Sequence, residues 1–485
     1  MRVDCDPVSF TPGHFGIVTA VGALVLAGFL TIGFAPPAKA LPSFARQTGQ
    51  PCGACHTDFP TLTPYGRRFK LLGYTTGGGK YQTTLFPDSD DSGTKKEYVP
   101  PIAMMTIIGY THTEAPQPPP TAPFSANDNV ALSSFTGIWG GAITDNIGAF
   151  SEFTYSAPPA GGFSDPYGHN WSWDNTDVRY ANSTAIGNTD VVFGITANNN
   201  PTVQDVWNTT PAWVFPYNSS PFASTPAAAT IIDGAFAQHV GGAGAYLYID
   251  DMVYLEASAY RTLGFGAQNV LGVDPFSAPG QFGGVAPYWR AAFEPHWGNN
   301  SLMVGTFGML TDVHPWSDPT FGGMTGTFSQ TDKYSDLGFD SQYQYQGPNY
   351  WLTLSSSYIH EYQKLDASFA NGLSANPTDE LNTLRLLSSL AYGGDNRVVL
   401  TGQYFNTWGT SDTTLYSGLA SGNSPNSSGW IAEIAYIPFG VSMAPGWPWF
   451  NARIGLDYIA YTKFDGTSVG ASSNNTLFLS FWMAM

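Results

Sequence analysis

The feature that most constrains this chain is a two-residue alternation of apolar and polar side chains, which recurs from Val99 to Met485. This alternation is typical of β-strands that have one apolar and one polar face. Sixteen segments carry it, and each is bounded by residues that favour turns. The predicted strands are residues 99–110, 131–143, 147–156, 174–185, 189–197, 238–249, 252–262, 285–297, 301–311, 333–346, 349–361, 381–392, 397–407, 429–438, 449–461 and 475–485.

The connections between these segments alternate between short turns and long loops. An even number of antiparallel strands, with tight turns at one rim and long loops at the other, is typical of an outer-membrane barrel. We therefore predict an all-β fold, a transmembrane antiparallel β-barrel of about sixteen strands, with both chain ends on the periplasmic side. The long loops are residues 111–130, 157–173, 198–237, 263–284, 312–332, 362–380, 408–428 and 462–474.

The alternation also predicts which side chains face a lumen. In the seventh segment, Val253, Leu255, Ala257 and Ala259 share one face, and Tyr254, Glu256, Ser258 and Tyr260 share the other. An arginine at mid-membrane on the lipid face costs about 2–4 kcal/mol, so charged residues belong on the lumen face. A soluble β-sandwich or propeller also alternates and is the alternative. The charges predicted to point inward are Glu152, Arg179, Arg290, Glu294, Arg385, Arg397 and Glu433.

Composition excludes several other classes of protein. Charged residues make up 11% of the 485 residues, and the formal net charge is −18. Nucleic acid is therefore not an expected partner, because phosphate binding requires a basic face. Aromatic residues reach 15%, which argues against disorder. A polytopic helical membrane protein would need many apolar runs of about 20 residues, and only one such run is present, near the start of the chain.

That single run, residues 15–34, has the character of a signal peptide. It ends before Pro36-Pro37, and Ala38-Lys39-Ala40 then supplies the small-x-small pattern of a signal-peptidase site. We expect residues 1–40 to be removed by cleavage after Ala40, which would also remove Cys5. The alternative is an uncleaved membrane anchor, since the run is long for a signal peptide. With either outcome the protein is exported.

The two remaining cysteines lie in Cys52-Gly53-Ala54-Cys55-His56, the C-x-x-C-H attachment motif of c-type haem. Two thiols three positions apart form thioethers with the porphyrin vinyl groups, and the adjacent histidine becomes the proximal axial ligand. A zinc site would need a second Cys or His pair nearby, whereas no histidine occurs between Thr57 and Thr111. A redox C-x-x-C would need a βαβ context. We predict one covalent haem, bound by Cys52, Cys55 and His56.

Two questions about the haem region stay open at this level. Four basic residues flank the motif, Arg46, Arg67, Arg68 and Lys70, and they either neutralise haem propionates or form a solvated basic helix end. The sixth ligand is also undetermined, because residues 41–98 contain no methionine and no histidine other than His56. The iron is either five-coordinate, bound by another residue type, or bound by the rest of the protein. The nearest candidates for that last case are Met104, Met105 and His112.

Together, these features resemble the fused outer-membrane cytochrome–porins of iron-oxidising bacteria. The length and sparse charge are similar to members from acidophiles. We expect a signal peptide over residues 1–40, a monohaem cytochrome c domain over 41–98 whose size would suit it to plug the lumen, and a porin-like barrel over 99–485; the resemblance covers the whole mature chain. It implies oxidation of extracellular Fe(II), with electrons passed through the haem to a periplasmic cytochrome or blue-copper protein. An electron-export conduit, or a diffusion porin with a structural or sensory haem, remains the alternative. The matching residues are 51–56, 59–60, 62–67 and 69–70, with the barrel pattern to Met485.

Overall fold

The computed structural model describes residues 43–76, 84–85, 99–117, 124–156, 170–317, 326–393, 395–442 and 447–485. The described residues all belong to one compact unit. The predicted signal peptide lies outside the described residues. Within the described ranges, no helix has the length and apolar character needed to cross a membrane.

The described strands form one closed sheet, in which each strand is antiparallel to its neighbours. Three short consecutive segments share one position, so the sheet has sixteen strand positions, as predicted. The strands are β1 (Ile102–Thr113), β2 (Asn129–Ala142), β3 (Ile147–Tyr155), β4 (Trp171–Ile186), β5 (Thr189–Asn198), β6 (Val240–Ile249), β7 (Val253–Thr262), β8 (Gly280–Phe282, Ala286–Phe293 and His296–Trp297), β9 (Asn300–Pro315), β10 (Asp332–Gln346), β11 (Tyr350–Lys364), β12 (Thr378–Tyr392), β13 (Val398–Gly409), β14 (Ser427–Tyr436), β15 (Asn451–Lys463) and β16 (Thr476–Ala484).

The last strand closes the barrel against the first. Strand β16 pairs with β1 from Met105↔Ala484 to Thr113↔Thr476. Short turns join the strands at one rim, here called the turn rim, except for the longer connection between β14 and β15, residues 437–450. Long connections lie at the opposite rim, the loop rim. At the turn between β6 and β7, Asp250 and Asp251 both adopt left-handed backbone conformations, with φ of 51° and 54°. Positive φ at two successive residues is the geometry of a type I′ turn, whose twist matches that of the flanking strands.

Burial alternates along the strands as the sequence predicts. In β7, Tyr254 and Glu256 are buried while Leu255 is exposed. The exposed outer face carries large apolar side chains, such as Phe339 and Leu400, which suits a face turned toward lipid. Most predicted inward charges are buried in the lumen: Arg179, Arg290, Glu294 and Glu433 have relative exposures of 0%, 1%, 0% and 8%.

Two segments fill part of the lumen. The first, which we call the plug, comprises residues 43–76 and contains helices α1 (Ser43–Thr48), α2 (Cys52–Cys55) and α3 (Pro64–Leu71). The second, the inward loop, comprises residues 199–239 between β5 and β6. Among the described residues, the other α-helices are α4 (Phe265–Val270) and α5 (Asp366–Ala370), in connections at the loop rim. Short 3₁₀ or π turns occur at Pro211–Trp213, Ile231–Ala235, Pro275–Ser277 and Ala471–Asn474.

The inward loop is attached to the barrel wall by buried polar contacts. Arg290 on β8 forms ion pairs with Asp205 of the loop at 3.3 Å and with Asp340 on β10 at 2.7 Å. The indole Nε1 of Trp207 donates to Glu294 Oε2 at 2.7 Å. A buried charge is tolerated only when it is paired and hydrogen-bonded. These contacts therefore explain why a long, polar connection folds into the barrel.

The sequence prediction was wrong in two local details. The first strand begins at Ile102, not at residue 99, because Pro100 and Pro101 have no amide hydrogen to donate to a sheet. The segment predicted as one strand at residues 285–297 is interrupted after Phe293. Pro295 lies at that interruption, and it also lacks an amide hydrogen.

Candidate functional site

The C-x-x-C-H motif forms a single helical turn inside the barrel. Pro51 precedes the turn in an extended conformation, with φ −68° and ψ 156°, and the backbone N–H of His56 donates to Cys52 O. One turn of helix places side chains three residues apart on the same face, so the two thiols are neighbours. Both cysteines are free thiols. Burial raises the pKa of both, that of Cys55 to about 12.

This turn is attached to the turn rim of the barrel. The N–H of Gly53 donates to Val441 O at 2.6 Å, in the connection between β14 and β15. Cys52 packs in an apolar cluster with Val399, Ala435 and Val441. Asn451, the first residue of β15, has its Nδ2 4.0 Å from Cys52 Sγ. The motif therefore lies near the rim that carries the short turns.

His56 leaves the helical turn in an extended conformation, with φ −125° and ψ 135°. Its Nδ1 lies 3.2 Å from Pro60 O, a geometry in which Nδ1–H donates and Nε2 keeps its lone pair. Metal-binding histidines usually make this type of contact through their second nitrogen. Burial lowers the pKa of His56 to about 4, although hydrogen bonds to Pro60 and Thr61 act in the opposite direction. Above that pH the imidazole is neutral, the form that binds a metal.

Helix α3 packs directly on the motif. Thr63 caps the helix, because its Oγ1 accepts from Gly66 N at 3.1 Å and donates to Ala54 O at 2.6 Å. Its backbone N–H donates to Cys55 O at 2.9 Å. A Cβ at Gly66 would lie 2.3 Å from Cys55 O. Glycine at this position is therefore required for the close approach of α3 to the C-x-x-C turn.

We expect Gly66→Ala to displace α3 from the motif, because the new methyl group overlaps a backbone carbonyl that has little freedom to move. Overpacking of this kind costs typically about 1–3 kcal/mol. The predicted result is a several-fold lower yield of covalently attached haem, measured by haem staining after denaturing electrophoresis. Gly402→Ala is the control, because a Cβ there meets no atom within 4 Å. Equal yields from both variants would contradict the prediction.

A cavity of about 530 Å³ adjoins His56, within the roughly 300–1,000 Å³ typical of cofactor sites. The cavity lies between the plug, the inward loop and the wall formed by strands β1–β4, β15 and β16. It extends from Asn451, at the turn rim, toward Asp174, three residues after the loop-rim end of β4. The cavity therefore occupies part of the path through the barrel.

Charged side chains line this cavity both near the turn rim and nearer the loop rim. Arg453 lines it near His56 and forms ion pairs with Asp58 at 3.0 Å and with Glu433 at 2.6 Å. Burial raises the pKa of Asp58, with Arg453 acting in the opposite direction. Glu152 and Asp174 line the part nearer the loop rim. The Arg453 ion pairs join the plug to the barrel wall beside this cavity.

None of the four basic residues that flank the motif lines the cavity. Arg67 forms an ion pair with Glu294 on the barrel wall, and Arg68 pairs with Asp190 and Asp251 at the turn rim. The guanidinium of Arg46 donates to Ile102 O at the start of β1.

Lys70 Nζ donates to Val203 O and Asp205 O of the inward loop, each at 2.8 Å, and lies 4.6 Å from the Trp213 ring centroid. Burial lowers the pKa of Lys70 to about 7. These contacts favour neither of the two interpretations from the sequence, neutralisation of haem propionates or a solvated basic helix end. The basic residues instead attach the plug to the barrel and to the inward loop.

The three residues that the sequence offers as a sixth haem ligand lie in different environments in the structure. Met104 is 45% exposed on the outer face of β1. His112 is exposed and pairs with Asp128 at 2.8 Å. Met105 lines the cavity together with His56. Only Met105, of these three, lies in the same cavity as the motif histidine.

The donor set fits a covalently attached haem. Two free thiols lie one helical turn apart, and the ring of the adjacent histidine adjoins a cavity of suitable volume. Among the described residues, no cluster of three or more His, Cys, Asp or Glu side chains is arranged for a metal ion. The residues able to hold a haem are Cys52, Cys55 and His56.

Comparison with known proteins gives matches among solved structures alone. No family model matches the chain, and no curated protein matches it by sequence. The chain is similar to the OmpF porin of Salmonella typhi, at 11% identity with a TM-score of 0.44, over 79% of this chain and 97% of that one. It is also similar to the outer-membrane channel DcaP of Acinetobacter baumannii, at 11% identity with a TM-score of 0.41, over 79% and 96% of the two chains. OmpT of Vibrio cholerae aligns at 8% identity with a TM-score of 0.41, over 79% and 95%.

Proposed function

We propose that the protein is an outer-membrane c-type cytochrome fused to a porin-like barrel, which oxidises extracellular Fe(II) and passes electrons to a periplasmic cytochrome or blue-copper protein. The observation that carries this proposal is the position of His56. It belongs to a complete C-x-x-C-H motif, and it faces a cofactor-sized cavity within the barrel. The sequence resemblance to the cytochrome–porins of iron-oxidising bacteria supplies the reaction.

The residues of the plug have distinct roles in this proposal. Cys52 and Cys55 would hold the haem covalently and His56 would be its protein ligand, with the His56 ring oriented by the hydrogen bond from Nδ1 to Pro60 O. When bound, the haem supplies one-electron transfer. The plug, which contacts the barrel wall from inside, would hold this centre within the barrel. The iron substrate therefore has no need to cross the membrane.

The two ends of the cavity suit a donor on one side of the membrane and an acceptor on the other. Glu152 and Asp174 lie in the part nearer the loop rim, and carboxylate oxygens are suitable ligands for a hard divalent cation such as Fe²⁺. The motif packs against Val441 at the turn rim. In outer-membrane barrels the short turns face the periplasm. An electron would thus enter from the loop rim and leave toward the periplasm.

A diffusion porin is the second candidate, and the barrel itself favours it, since barrels of this size often enclose an aqueous channel. The contents of the lumen argue against open diffusion here. Arg290, Glu294 and Glu361 all face inward and have relative exposures of 1% or less. Residues that line an open channel would be in contact with water.

We therefore expect the full-length protein to show little conductance in a planar lipid bilayer. The plug and the inward loop occupy part of the lumen that would be open to ions in an empty barrel of this size. The control is an unplugged porin of sixteen strands, reconstituted and measured in the same way. Steady conductance of the same magnitude from both proteins would favour the diffusion porin.

The direction of electron flow separates iron oxidation from electron export. Purified outer membranes that contain the protein are titrated with Fe²⁺ at acidic pH while the haem absorption bands are recorded. Prompt reduction of the haem is the predicted result. A haem that stays oxidised with Fe²⁺ but is reduced by dithionite would overturn iron oxidation in favour of export or a structural role.

A further inference from the structure

We infer that Met105 of the first barrel strand is the sixth ligand of the haem iron. This inference rests on the proposed function, because it requires a haem on Cys52, Cys55 and His56. It assigns a specific contact between the cofactor of the plug and the wall of the barrel. Three observations carry it: the strand register, the residue types that line the cavity, and the contacts that those residues already make.

The register places the side chain of Met105 on the lumen face of β1. Its two cross-strand partners are Thr136 on β2 and Ala484 on β16. Directly paired residues in a sheet point to the same face, and both partners line the cavity that His56 adjoins. The next residue toward the N-terminus, Met104, is 45% exposed on the opposite face. The thioether of Met105 is thus directed into the cavity.

The residue types around the cavity leave few alternatives. Haem irons in proteins are bound axially by His, Met, Cys or Tyr. Among the described residues that line this cavity, those types are represented by His56, Met105 and Tyr217. The hydroxyl of Tyr217 already forms a hydrogen bond with Thr61 Oγ1 at 2.9 Å. Met105 is the remaining side chain of a suitable type.

Ligation by Met105 would connect two separate parts of the molecule. His56 reaches the cavity from the plug, whereas Met105 reaches it from the barrel wall. A wall ligand accounts for the lack of methionine or a second histidine in residues 41–98. Histidine–methionine ligation also raises the reduction potential of a c-type haem. A higher potential favours transfer of one electron from Fe²⁺ to the ferric haem, which yields Fe³⁺ and ferrous haem.

The test compares Met105→Leu with Met104→Leu in the full-length haem-loaded protein. Leucine conserves volume, so the barrel is expected to fold in both variants. In the oxidised protein, a weak charge-transfer band in the far red reports sulfur ligation to the iron. We expect Met105→Leu to lose this band and to lower the reduction potential, while haem content stays equal to wild type. Met104→Leu should retain the band, because residue 104 faces lipid.

Two results would contradict this assignment, and they have different consequences for the proposed function. If the wild type and both variants contain covalent haem with identical far-red spectra and potentials, Met105 is not the ligand and the proposed function stands. If the wild type contains no covalent haem, the proposed function and the ligand assignment both fail. Met105→His provides a further check, since a histidine at this position should replace the sulfur band by the spectrum of a bis-histidine haem.

Discussion

Replacing Cys52 and Cys55 together by serine is expected to abolish covalent haem attachment. The thioethers require both sulfurs, and no described cysteine lies elsewhere in the barrel. Denaturing electrophoresis followed by haem peroxidase staining should show a stained band for the wild type and none for the double variant. Cys5→Ser is the matched control, because Cys5 belongs to the segment predicted to be cleaved.

The same experiment separates loss of haem from loss of the fold. Heat-dependent migration on electrophoresis shows whether each variant forms a folded barrel. Since both cysteines lie in the plug and not in a strand, a folded but unstained barrel is the expected result. Persistent haem staining of the double variant would show that the cofactor is attached elsewhere, and would remove the basis for the proposed function.

Replacing Arg67 by leucine is expected to release the plug from the barrel. The side chains of Arg67 and Glu294 are 1% and 0% exposed and form a direct ion pair. The same guanidinium donates to Gln342 Oε1 at 2.7 Å. Removing one partner of a buried ion pair leaves the other charge uncompensated, at a cost of about 3–5 kcal/mol. We expect faster limited proteolysis of the plug and higher conductance in planar bilayers.

The neighbouring residue provides a matched control. Arg68 also forms ion pairs, with Asp190 and Asp251, but its side chain is 28% exposed and those of its partners are 42% and 46% exposed. Exposed pairs contribute about 0–1 kcal/mol, so Arg68→Leu should behave almost like wild type. Arg67→Leu combined with Glu294→Gln should recover part of the loss, because the buried charge is then absent. Similar proteolysis of all variants would contradict the proposed role of Arg67.

The sequence predicted the barrel well because its two-residue alternation reflects two different solvents. Lipid outside and a polar lumen inside impose opposite requirements on successive residues, as in Tyr254, Leu255 and Glu256. The number of strands and the faces of most charged residues followed from this pattern alone. Exact strand ends did not, because they depend on local features such as the prolines before Ile102.

The inward loop could not be identified from the sequence. Residues 198–237 form the longest predicted connection, and long loops are often functional, but length does not show where a loop folds. Its position depends on tertiary contacts, such as the ion pair of Asp205 with Arg290, which lies 85 positions later in the chain. Such pairs have no local signature.

Only the attachment motif of the candidate site could be predicted from the sequence. The spacing of Cys52, Cys55 and His56 identifies a haem attachment motif without any structure. The roles of the flanking basic residues required the fold, since Arg67 and Lys70 contact groups far along the chain. The choice between Met104 and Met105 also required it, because adjacent residues in a strand face opposite sides and the register decides which one faces the cavity.

The central claim is electron transfer from external iron through a haem in a plugged barrel, and transfer across a sealed membrane tests it most directly. The haem-loaded protein is reconstituted in vesicles that contain oxidised cytochrome c and an iron chelator, and Fe²⁺ is added outside. The account predicts reduction of the enclosed cytochrome c without an iron–chelator complex inside. Formation of that complex, or cytochrome c that stays oxidised while Fe²⁺ is present outside, would contradict it.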